Sequence, residues 1–167
     1  MNCIGTSEEE YNTIRQRVKK AANFTVEGKP QGKARARTFY NPRLGRTQSV
    51  TPENTVLYEN LVKQSFIQQS DEDCRWFRKE PLMMHIIAFY PIPASTTKKD
   101  RQLITTGKLF PTKKPDADNI AKVICDALNG VAYGDDTQII RLIVMKSYTE
   151  RQPKVQVCIE EIEERQV

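Results

Sequence analysis

Residues 114–136 read KPDADNIAKVICDALNGVAYGDD, and their interpretation settles what kind of fold the chain has. Ile120, Val123, Ile124, Ala127 and Leu128 recur at three- and four-residue spacing, the period of a helix with one apolar face. The helix is expected from about Asp118 to Asn129, with Gly130 as its stop. Asp118, Lys122 and Asp126 step by four along the opposite, polar stripe. A helix with one greasy side needs a sheet or another helix to cover. The flanking sequence supplies the sheet: PLMMHIIAFYP (residues 81–91) lies before it, and TQIIRLIVMKSY (137–148) and KVQVCIEEI (154–162) follow it. All three are short apolar or alternating runs bounded by turn residues.

Further toward the N-terminus, Thr51 and Pro52 mark a helix start through ENTVLYENLVKQSFIQQ, because Thr can cap free amides and Pro tolerates the first helical position. Val56, Leu57, Leu61, Phe66 and Ile67 are its expected core face. Asn23–Glu27 reads as a strand. Ser7 and Glu10 form a capping box, so a first helix is expected from Glu8 to about Ala22. Residues 95–113 read as a partly helical or mobile loop. The order α, β, β, α, β, loop, α, β, β predicts a mixed α/β fold, one mixed sheet covered by helices. One domain is expected over 1–167, with 1–22 as a helical extension and 23–162 as the core.

Composition agrees with that frame. At 167 residues the chain is long enough for one hydrophobic core, and 38% hydrophobic with 28% charged residues is an ordinary balance. No apolar run approaches the roughly 20 residues of a membrane span. MNCIGTSEEE lacks a basic stretch followed by an apolar one, so a cytoplasmic location is the expectation. Cys3, Cys74, Cys125 and Cys158 have no zinc-like spacing and are expected to be reduced. A net charge of +5 favours an anionic partner.

Five aspartates crowd the opening stretch. Caps, surface ion pairs and a turn account for Asp118, Asp126, Asp135 and Asp136. Asp116, two residues ahead of Asp118 and just behind Pro115, is left over. Two carboxylates at that spacing in extended chain can face one side, and a third can arrive from the strand that follows. Hard divalent cations such as Mg²⁺ take such oxygens. Elimination points the same way: His85 is the single histidine, set in an apolar strand pattern, and GxxxxGK[ST] is absent, so no nucleotide cofactor is expected.

From Gly28 to Pro52 there is no acid, while Lys29, Lys33, Arg35, Arg37, Arg43 and Arg46 are basic. In KARAR a strand would place Lys33, Arg35 and Arg37 on one face, a comb able to follow a phosphate backbone. Phe39 and Tyr40 either pack into the core or stack on an opened base. A second basic segment ends at Lys113 and Lys114. A metal site beside two basic segments suggests phosphodiester cleavage.

KPDADNIAKVICDALNGVAYGDDTQI resembles the signature of the RusA-like Holliday junction resolvases, endodeoxyribonucleases of bacteria, phages and prophages. The match comprises PD-x-DN, a lysine four residues after the second Asp, DALNG and a late DD-x-Q. The resemblance implies that Asp116, Asp118 and Asp136 bind Mg²⁺ (Mn²⁺ substituting), with Asp135 the alternative to Asp136. It also implies that Lys122 is catalytic, and that Asn119 and Asp126 orient the helix or the ligands. A homodimer that resolves a four-way junction by paired nicks is the implied assembly, in DNA recombination and repair. A branched-DNA-binding protein without cleavage and a flap nuclease with little junction preference are the competing readings.

Overall fold

The computed structural model describes residues 18–162. Within these described residues, six strands and three α-helices follow one another. The strands are β1 (Val18–Glu27), β2 (Arg37–Asn41), β3 (Arg46–Val50), β4 (Leu82–Pro91), β5 (Ile139–Thr149) and β6 (Lys154–Ile162). The helices are α1 (Glu53–Gln69), α2 (Lys98–Thr105) and α3 (Ala117–Leu128). β1, β6, β4 and β5 form a mixed sheet in that order, antiparallel except for the parallel β4–β5 pair. β2 and β3 make a separate antiparallel hairpin. The mixed sheet covered by helices is the expected architecture.

One face of the sheet carries the core. Met84, Ile86 and Ala88 of β4 alternate with half-buried neighbours after the buried start Leu82–Met83, and Val155, Val157 and Ile159 of β6 alternate in the same way. This is the period-2 signature of a sheet packed on one side. Onto that face α3 lays Ile120, Val123, Ile124, Ala127 and Leu128, all fully buried as its spacing predicts. α1 lies beside α3 and β1, where Phe66 meets the edge of Phe24 with centroids 5.5 Å apart.

Four local expectations fail. The first concerns the chain start: residues 1–17 of the expected Glu8–Ala22 helix lie outside the described residues, but Val18–Ala22 belong to β1, which pairs with β6 from Val18↔Ile162 to Glu27↔Lys154. Sheet pairing there overrides the local helical pattern, and the core begins at Val18 rather than Asn23. Second, α1 buries Thr55, Tyr58, Val62, Ser65 and Phe66, while Val56, Leu57, Leu61 and Ile67 are exposed. The buried set keeps the three- and four-residue period but is rotated relative to the one that hydrophobicity alone selects. Third, Thr51 makes no cap; Pro52 stands at the cap position without a side-chain bond. Fourth, KARAR is not a strand, because β2 begins only at Arg37 and residues 29–36 run without regular structure.

The two edges of the sheet differ. Gln69 closes β1, accepting from the Thr25 amide at 2.9 Å and donating to its carbonyl at 2.8 Å. Among the described residues β5 has only β4 as a neighbour, and it exposes Ile140, Leu142, Ile143 and Met145. Cys74, Cys125 and Cys158 are free thiols, as expected. No helix among the described residues is long and apolar enough to cross a membrane.

Candidate active site

The start of α3 is where the signature residues meet the basic segment. Asp116 occupies the helix cap position in extended conformation (φ −71°, ψ 156°) yet makes no capping bond, so its exposed carboxylate is left unengaged by the helix. It, and not Asp118, is the cap residue; Asp118 sits inside the first turn, exposed, with Lys122 one turn further on the same stripe. Free amides at a helix start favour a nearby anion, a phosphate in particular.

Residues 29–33 lie flat against this helix start. The Lys33 amide donates to the Asn119 carbonyl at 2.8 Å. A methyl group at Gly32 would stand 2.7 Å from the Pro115 Cβ, closer than real Cβ atoms come, and 3.0 Å from the Asn119 Cβ, tighter than nearly all of them. The approach therefore demands glycine. The result is an open groove of about 840 Å³ lined by Lys29, Lys33, Arg35, Lys114, Asp116 and Asn119. Four cationic side chains and one carboxylate thus share a single concave surface.

Lys33 departs from its expected role. Its ammonium bridges Glu59 of α1 and Asp126 of α3, the latter at 2.8 Å. Burial alone would lower its pKa, but the two carboxylates outweigh that and hold it above the ordinary value. Lys33 is therefore a clip joining the loop to two helices, not a tooth of a comb. Asp126 is drawn into the same clip instead of pairing with Lys122.

The two aspartates of the late signature divide their work. Asp135 caps the short turn Asp136–Gln138: its carboxylate accepts from the Thr137 amide at 2.9 Å, and those bonds hold its pKa below the usual range. Gln138 completes the box by accepting from the Asp135 amide at 3.3 Å, and it also accepts from the Gly134 amide at 2.9 Å and donates to the Glu80 carbonyl at 3.2 Å. Asp136 is exposed and has no such duty. Its charge, after burial, raises the pKa of the Cys125 thiol, to about 11.

Among the described residues, no three aspartate, glutamate, histidine or cysteine side chains converge to hold a metal ion. The expected three-carboxylate cage of Asp116, Asp118 and Asp136 is not assembled within the chain. The donors still suit Mg²⁺ in kind, because that ion typically keeps several waters and takes one or two carboxylates together with a substrate phosphate. Asp116 and Asp118, both exposed and free of ion pairs among the described residues, offer that minimal set beside a phosphate-attracting groove.

The remaining candidates are dispersed. Lys113 contributes its carbonyl to Lys146 at 2.5 Å, anchoring the α3 approach to β5. Arg37, Arg43 and Arg46 sit on the β2–β3 hairpin, away from the α3 start, and Phe39 and Tyr40 are exposed there rather than packed in the core. The hairpin escaped the sequence reading, although its signal was present. Two strand-like runs, RTFYN and RTQSV, flank a Pro-Arg-Leu-Gly turn. His85 lies half-buried on the sheet face opposite the helices, its Nε2 without a partner, consistent with a sheet-facing role.

Comparison with known proteins places these features in a lineage. The family model for endodeoxyribonuclease RusA matches residues 27–160. An uncharacterised protein of Bacillus subtilis (strain 168), YqaN, is 34% identical over 141 residues, spanning 83% of this chain and 95% of the relative.

Proposed function

The chain belongs to the RusA endodeoxyribonuclease family, and from that premise we propose that it is a Mg²⁺-dependent resolvase that cuts four-way DNA junctions by paired, symmetric nicks. The observation that carries this reading is the α3 groove. An uncapped Asp116 shares one concave surface with Lys29, Lys33, Arg35 and Lys114, next to a helix start that attracts phosphate.

The chain's own residues divide the task. Lys29, Arg35 and Lys114 hold the phosphate backbone in the groove, with Lys33 clipping that wall to α1 and α3. Asp116 and Asp118 would hold Mg²⁺ or Mn²⁺, and Asp136, unencumbered by the turn that engages Asp135, is the third carboxylate available once DNA is bound. A metal held there would supply an acidified water and polarise the scissile phosphate. Lys122, exposed one turn along from Asp118, offsets charge developing on the phosphoryl oxygens. Asn119 orients the helix start through its carbonyl bond to Lys33. A second copy of the chain is needed for paired nicks, since a junction has a two-fold axis that a two-fold dimer matches. The apolar open edge of β5 supports that assembly.

The unassembled cage favours a second reading, a protein that binds branched DNA without cutting it. A labelled four-way junction incubated with the protein in Mg²⁺ or in EDTA separates the two. The nuclease reading expects scission in Mg²⁺, none in EDTA, and none with Asp118→Asn. Tight binding with no scission in any metal establishes the binder, and scission that persists in EDTA overturns the metal assignment.

A further inference from the structure

The β2–β3 hairpin takes no part in the groove, and its chemistry is distinctive. Its strands pair from Arg37↔Val50 to Asn41↔Arg46, and neither packs substantially on another element. The tip is held locally: the Asn41 side chain accepts from the Arg43 amide at 3.0 Å and donates to Gln48 at 2.8 Å, and Gly45 turns the chain at φ +60°. Such a projecting ribbon has a defined shape without help from the core.

Alternation sends adjacent residues to opposite faces. Phe39 therefore shares one face with Arg37, Gln48 and Arg46, while Tyr40 stands on the other among Thr38, Thr47 and Ser49. Phe39 is 49% exposed and Tyr40 64%. The thin ribbon thus offers one exposed aromatic plane on each face, a surface on which a base can stack. Charge names the occupant: no acid occurs between Gly28 and Pro52, and Arg37, Arg43 and Arg46 all lie on the hairpin or its tip. On the Phe39 face a groove of about 450 Å³ opens at the hairpin root, lined by Arg37, Phe39, Val50, Thr51, Glu53 and Asn54. The Glu53 carboxylate repels a phosphate from this recess, whereas a flat uncharged base suits it, with its phosphate outside on Arg37.

We propose that the hairpin is a two-faced wedge that enters the branch point of the DNA, Phe39 seating one unpaired nucleobase in the root groove and Tyr40 stacking another on the opposite face. The proposal rests on the branched-DNA reading and supplies its source of structure selectivity. The groove at α3 grips backbone that duplex and junction share. The hairpin grips what only an opened branch offers.

The test uses the full chain in EDTA with a four-way junction carrying 2-aminopurine at the branch point, and a duplex of equal length. Wild type is expected to prefer the junction and to raise the probe's fluorescence as the base leaves its stack. Phe39→Ala with Tyr40→Ala should cut the junction preference by about tenfold or more, the scale of lost base–aromatic stacking, abolish the fluorescence rise and leave the duplex Kd unchanged. Phe39→Trp should retain both properties. A double variant with wild-type preference overturns the wedge, as does one that loses junction and duplex affinity equally. A wild-type protein with no junction preference overturns the wedge and the resolvase reading together.

Discussion

Lys33 and Arg35 stand two residues apart in a run that looks uniform, yet their environments differ. Lys33 touches two carboxylates and Arg35 touches none among the described residues. Lys33→Ala is expected to lower unfolding free energy by about 1 kcal/mol in urea titration, the scale of a partly exposed ion-pair network. Arg35→Ala should leave stability unchanged, weaken DNA binding and reduce the salt slope by about one unit. Because the folded-state pKa of Lys33 is raised, its contribution is complete below the ordinary value of 10.5 and disappears as pH climbs through the folded value. Wild type, but not Lys33→Ala, should therefore lose this increment of stability in strongly alkaline solution. The adjacent aspartates make a second contrast. Asp135→Asn should lower the melting temperature, whereas Asp136→Asn should keep it and lose cleavage. Equal effects of the two on either readout would contradict the division of labour.

Among the elements, α3 and the loop laid on it form the working unit. Twelve helical residues were legible because seven of them are buried and their spacing repeats the helical period without interruption. α1 was misjudged in rotation because its buried set includes Thr55, Tyr58 and Ser65, which hydrophobicity does not select. The loop at 29–33 carries no periodic signal at all, yet Gly32 decides how close it comes to α3. Gly32→Ala should push Pro115 and Asn119 aside and lower the cleavage rate roughly tenfold, a shift of a few tenths of an ångström being enough to spoil placement of reacting groups. Duplex affinity in EDTA should change little, since the cations of the groove remain. Wild-type turnover in this variant would show that the contact does not position the carboxylates.

For the molecule as a whole, the two edges of the sheet differ in what they leave open, and the proposed two-fold assembly would use the open one. β1 is closed by Gln69, and β5 presents a long apolar edge, a feature that soluble proteins usually cover. Ile143→Lys together with Met145→Lys, both on the sheet face away from the helices, should convert a dimer to a monomer in light scattering and turn paired junction cuts into single nicks. A wild-type chain that stays monomeric at micromolar concentration would remove the basis for symmetric cleavage.

Sequence alone determined the α3 helix, the β4, β5 and β6 strands, the mixed architecture and the family, since each of these is written in local periodicity or in a contiguous motif with fixed spacing. Tertiary structure decided the rest: that residues 18–22 join the sheet, that Lys33 is a clip, that Asp135 caps while Asp136 stays free, that Phe39 and Tyr40 face solvent, and that the three aspartates do not meet within the described residues. The physical reason is range. Helical and strand periods are properties of neighbouring residues, whereas an ion pair between residues 33 and 126, or the meeting of carboxylates from residues 116, 118 and 136, depends on how distant segments pack.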